Sequence, residues 1–104
     1  MNNTRRKSLE VIKDALEELS NRIDMAKVET EGQNSAIEEL KDEEQEYMDN
    51  MPESLQSGER YENADAAVSA MDEAYNSIDS AMNSLQEAYD YLQEAMESLA
   101  TAAQ

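Results

Sequence analysis

The chain has 104 residues, with 25 Asp or Glu against 8 Lys or Arg, and a formal charge of −17 at pH 7. It has no Cys, His, Phe or Trp, two Gly and one Pro. This excludes disulfides, thiolate or imidazole metal sites and Ser-His or Cys-His nucleophiles, and so negative a field repels nucleic acid and anionic membrane.

In chain order, residues 1–7 show no apolar period and read as a flexible basic arm, with Thr4 or Ser8 as the cap of the first helix. The basic start meets Glu10 and Asp14 before any apolar run, unlike a signal peptide, and no stretch is apolar for the length of a membrane span. The expected setting is cytoplasmic, in a host cytosol.

From Leu9 the spacing of three and four continues through Ile12, Leu16, Leu19, Ile23 and Ala26 to Ile37, Leu40, Tyr47 and Met51. Thr30, Gln33 and Glu44 fill the polar places of that seam, where they read as register control. The phase is unbroken, which predicts one helix over 8–51 that passes through Gly32. The rival reading is a loop at Glu31 to Asn34 with a capping box at Ser35 and Glu38.

Pro52 disfavours helical geometry in the residue before it, so residues 52–58 form the connection, with a short turn through Leu55 and Ser57 as the next cap. The second helix is expected over 58–103. From Ala67 it reads AVSAMDE, AYNSIDS, AMNSLQE, AYDYLQE, AMESLAT, AAQ, a heptad with one continuous seam: Tyr61, Ala64, Val68, Met71, Tyr75, Ile78, Met82, Leu85, Tyr89, Leu92, Met96, Leu99, Ala103. Two matched seams about one turn predict an all-α fold, a long antiparallel helical hairpin of coiled-coil type. Each arm is roughly 65 Å long at the helical rise.

Charges beside the seams test that pairing. Lys13, Lys27 and Lys41 should share a side with Asp65, Asp72 and Asp79, which brings Lys41 to Asp72, and Lys27 to Asp79 or Gln86. The other side carries a strip of small residues, Ala67, Ala74, Ala81, Ala88, Ala95 and Ala102, met on the first helix by Val11, Ala15 and Met25. A lone hairpin leaves that strip in water, so the expected assembly is a homodimer forming a four-helix bundle.

No calcium loop or phosphate-binding loop occurs. The acid run Asp42 to Asp49 reads as a solvated helix face, and neither an enzyme nor a cofactor is expected. The connection is the most varied stretch. It reads either as tip architecture, with Met51 and Leu55 covering the seam's end and Arg60 paired to Glu59, Glu53 or Glu46, or as a recognition tip with Tyr47, Gln56, Arg60 and Tyr61 as contacts.

The segment from Asn50 to Glu62, NMPESLQSGERYE, with the Arg5-Arg6-Lys7 start and the alanine-rich heptads, resembles a family of small acidic helical proteins from bacteriophages and mobile elements of Gram-positive bacteria. The resemblance implies a phage-type setting and no mechanism. With the charge it suggests a protein-interaction module, an inhibitor of a basic host nucleic-acid-binding or defence protein by charge mimicry. A 65 Å length of duplex DNA carries about 38 charges, a density that a dimer approaches. The alternatives are a self-associating assembly coiled coil and, with Tyr61, Tyr75 and Tyr89 as stacking residues, a nucleotide sponge.

Overall fold

The computed structural model describes residues 1–104. Two helices make up nearly the whole chain: α1, Asn3–Asp49, and α2, Glu59–Ala102, with one 3-10 turn at Glu53–Leu55 between them. The chain is all-helical, and α1 and α2 run antiparallel as a helical hairpin. No helix is long and apolar enough to cross a membrane.

Two compact units divide the residues. The terminal unit holds Met1–Glu29 with Met82–Gln104, and the turn unit holds Thr30–Ala81. In the terminal unit Arg6 reaches the Ala103 carbonyl at 2.7 Å and Lys27 reaches Gln86 Oε1 at 2.6 Å. In the turn unit Asn34 reaches the Tyr75 carbonyl at 3.3 Å and Lys41 reaches Asp72 at 3.2 Å. The expected pairings of Lys41 with Asp72 and of Lys27 with Gln86 both form.

The first correction concerns residues 1–7, expected as a flexible arm. The helix already begins at Asn3, because Asn2 supplies the cap expected of Thr4 or Ser8: its Oδ1 accepts from the Arg5 amide at 2.8 Å and its carbonyl from the Arg6 amide at 3.0 Å. The first bond satisfies one of the amides a helix start leaves open, and the second is the first bond of the helix itself. Arg6 then ties this end to α2, donating to the Ala103 carbonyl at the helix C-terminus, where a cation is favoured. Ser8 is not a cap; its hydroxyl donates back to the Thr4 carbonyl.

Gly32 lies inside α1 with no atom near the space a Cβ would take, so it answers no packing need there, and the helix continues through it as expected. α1 ends two residues before Met51, where the Met51 amide tightens onto the Met48 carbonyl at 3.1 Å. The connection is therefore 50–58. The Glu62 amide bonds the Gly58 carbonyl, which makes Gly58 rather than Ser57 the residue that caps α2. A Cβ on Gly58 would stand 3.2 Å from the Leu55 carbonyl, so the tight return of the turn favours glycine there.

The second correction concerns the α1 seam. On α2 all thirteen expected seam residues are buried or half-buried. On α1 only one half of the expected seam is: Leu9, Leu16, Ile23, Thr30, Ile37, Glu44 and Met51. The other half of the observed seam is Lys13, Ser20, Lys27, Asn34, Lys41 and Met48, each one residue after an expected position. Of the six displaced residues only Ala26 stays half-buried; Ile12, Leu19, Gln33, Leu40 and Tyr47 are exposed. α1's apolar stripe occupies two heptad positions, and α2 covers only one of them together with the polar position at the stripe's edge. α1 turns its polar edge toward α2 because α2 offers Gln86, Asp72 and the Tyr75 carbonyl to receive it.

The core that results is thin. Met48, Ala64 and Met96 are the only buried apolar residues, beside Ser20 and Asn34. Neither Ser20 Oγ nor Asn34 Oδ1 has a partner. Each unit thus carries one buried polar side chain at the seam, which penalises slipped registers at some cost in stability.

Candidate interaction surfaces

The heptad places the two sides of the hairpin in chemical contrast, and the contrast recurs in each unit. In an antiparallel pair, equivalent flanking positions of the two helices fall on the same side. One side is polar: Glu10, Glu17 and Asp24 with Gln86 and Gln93 in the terminal unit, and Glu31 and Glu38 with Asp65, Asp72 and Asp79 in the turn unit. Lys27 and Lys41 reach across it from the seam. The ordinary lysine pKa of 10.5 is raised at Lys41, first by its hydrogen bond to Asp72, and its ammonium also lies 5.7 Å from the Tyr75 ring centre.

The other side is apolar. In the terminal unit it joins Ile12, Leu19 and Ala26 of α1 to Ala88 and Ala95 of α2. In the turn unit it joins Leu40 and Tyr47 to Ala67, Ala74 and Ala81. Ile12 is 48% exposed, Leu19 45%, Leu40 56% and Tyr47 47%. Val11 and Met25, expected beside the alanines, stand instead on the outer face of α1 and are still more exposed, with Ala15 between. The residues that sequence reasoning assigned to the seam are the ones that border the alanine strip, a swap that follows from the rotation of α1.

At the connection, Tyr47 and Arg60 line a groove of about 600 Å³ with Asn50, Met51, Pro52 and Leu55. The same two residues border a second groove of about 450 Å³ with Glu44, Asn63 and Ala64. Of the four expected tip contacts, these two come together. Gln56 is turned inward, donating to the Met51 carbonyl at 3.2 Å, and Tyr61 is half-buried in the seam. Met51 is half-buried, but Leu55 is 56% exposed and does not cover the seam's end. Arg60 forms no ion pair. The turn is held by backbone bonds from Leu55 to Pro52, Gln56 to Glu53 and Gly58 to Leu55, so the groove walls stand on an ordered backbone.

The acid run on α1 brings no three carboxylates into an arrangement suited to a metal ion. Comparisons with protein-family profiles, with characterised proteins and with solved structures return no match.

Proposed function

We propose that this chain is a non-enzymatic interaction module that works as a homodimer, its hairpins joined through their apolar sides into a four-helix bundle whose outer surface is acidic. The observation that carries this is the half-exposed row of Ile12, Leu19, Leu40 and Tyr47 on the side opposite the charged flank. The alanines matter because they let a second helix layer approach; the large side chains supply the area to be buried.

The surface of the chain supports that reading. Its accessible area is 7580 Å² for a mass of 11.7 kDa. A compact monomer of that mass exposes about 5,900 Å². The surplus, about 1,700 Å² per chain, is of the size that an obligate dimer removes from water.

The dimer doubles the charge and leaves the carboxylates outside, which suits a basic partner reached by electrostatic steering. A host nucleic-acid-binding or defence protein inhibited by charge mimicry is the partner class we favour. The likeness of the connecting segment to small acidic proteins of phages and mobile elements supports the same setting. Without a basic partner, the same bundle serves as an assembly piece.

Sedimentation tests the pairing: the chain runs as a dimer, and Leu19→Gln with Leu40→Gln runs as a helical monomer. A wild-type monomer at micromolar concentration would sink the proposal. Mimicry is tested by competition against labelled duplex DNA for a basic nucleoid protein. Displacement at low salt that vanishes at high salt supports it, and no displacement at either leaves the assembly role.

A further inference from the structure

The larger groove at the connection is built entirely from residues of the turn unit. Met51, Pro52 and Leu55 make much of its lining apolar, and its volume of about 600 Å³ lies within the range of pockets that hold a bound group. Two flat groups stand in that lining, the Tyr47 ring and the Arg60 guanidinium, and both also border the second groove. A ring and a planar guanidinium are surfaces on which another ring stacks.

Arg60 is free to serve that way. Lys41, the other cation of the turn unit, is held by Asp72, whereas Arg60 forms no ion pair. The local sequence explains why: three and four residues further along α2 stand Asn63 and Ala64, where a carboxylate would have paired with it.

Around the groove the field is negative. The turn unit holds fifteen carboxylates against Lys41 and Arg60, a net −13, where the terminal unit holds ten against six cations, a net −4. Residues 42–62 alone carry eight carboxylates, with Glu46, Glu53 and Glu59 exposed, against the single cation Arg60. That field draws in a segment by its cations, while Arg60 keeps a cation out of the groove itself. Charge thus selects a segment in which the entering residue is uncharged and its neighbours are basic, and the flat lining selects a ring. Resting on the basic-partner reading proposed above, we infer that the connection groove receives an aromatic side chain of that partner, carried on a segment flanked by Lys or Arg.

Pro52 and Leu55 lie outside the row proposed for pairing. Both precede α2, and Ala67, the first alanine of the strip, stands about two turns into it. Removing Leu55 therefore tests the groove without touching the paired side.

The chain has no tryptophan, so the indole of a bound peptide reports on its own surroundings. The probe is the peptide Gly-Lys-Arg-Trp-Lys-Arg-Gly, compared with the same peptide carrying Ala for Trp, each titrated against the full chain by calorimetry. At low salt the tryptophan peptide should bind about tenfold more tightly than the alanine peptide, with its emission shifted to the blue, and high salt should weaken both. Leu55→Ser, at an exposed position outside both helices, should cut that ratio several-fold while circular dichroism and sedimentation match the wild type. Arg60→Gln should cut it as well, although it makes the chain more negative. Equal binding of the two peptides, a ratio unchanged in both variants, or a tryptophan peptide indifferent to salt overturns the inference and leaves the basic-partner reading standing. Binding of neither peptide at low salt overturns both.

Discussion

The terminal and turn units are built to one plan and charged to two. Each is a stretch of α1 against a stretch of α2 in the same heptad phase, with a lysine reaching α2's flank, Lys27 in one and Lys41 in the other, and one buried polar residue at the seam. Yet their net charges differ by nine, −4 against −13. The difference teaches that two stretches of one helical pair can share a packing pattern and still carry very different charge. The flank residues that receive the lysines, Gln86 and Asp72, belong to that shared pattern, and the positions beyond them carry the difference.

The most disruptive change to either unit is loss of its buried methionine. Met48→Ala in the turn unit and Met96→Ala in the terminal unit should each cost about 2 to 4 kcal/mol. Thermal unfolding of the two variants then shows whether the units melt together. Coincident transitions mean that the continuous helices couple them, and a split transition in Met48→Ala alone would show the acidic unit to be the weaker.

Next in size is the buried polar pair. Ser20→Ala removes a hydroxyl without a partner and should raise stability by about 1 kcal/mol. Asn34→Leu removes an amide that is half satisfied and should stabilise as well, but at the expense of register. Denaturant titration measures the gain, and broadened amide resonances from residues 30–81 would report the loss of a single register.

Arg6→Ala releases the link between the α1 start and the Ala103 carbonyl. It should cost about 1 kcal/mol, the usual worth of such a bond, and raise hydrogen exchange at residues 3–8 while the turn unit is unaffected. Equal exchange in both proteins would show that Asn2 capping alone holds the end.

The smallest effect expected is a pH dependence at Lys41 of the turn unit. The pKa of Lys41 is raised above 10.5 by Asp72, so its contribution is complete below that pH and is lost as pH rises through the higher folded value. Lys41→Met should flatten that alkaline decline, which thermal unfolding across the alkaline range measures.

Much of the connection's role was legible in the residues. Pro52 marked the end of α1, Gly58 marked the return, and Arg60 stood out as the last cation of the chain. What no pattern disclosed is that Tyr47 and Arg60 face one groove while Gln56 closes back on Met51, since those placements follow from the 3-10 turn and its backbone bonds. The helical start at Asn3 was hidden for a similar reason. A capping side chain and a cation bound to a distant carbonyl leave no apolar period to read.

By itself the sequence determined two helices, the place where the chain reverses, the entire seam of α2 and the partner of Lys41, and it narrowed the partner of Lys27 to Asp79 or Gln86, because each depends on spacing or on the chemistry of a single residue. Only the tertiary structure decided how far α1 is turned about its own axis. A heptad fixes the width and phase of an apolar stripe along one helix, but which edge of the stripe is buried depends on what the facing helix offers. Here α2 offers hydrogen-bond acceptors, and α1's polar edge goes inward while Ile12, Leu19, Leu40 and Tyr47 are left for another surface.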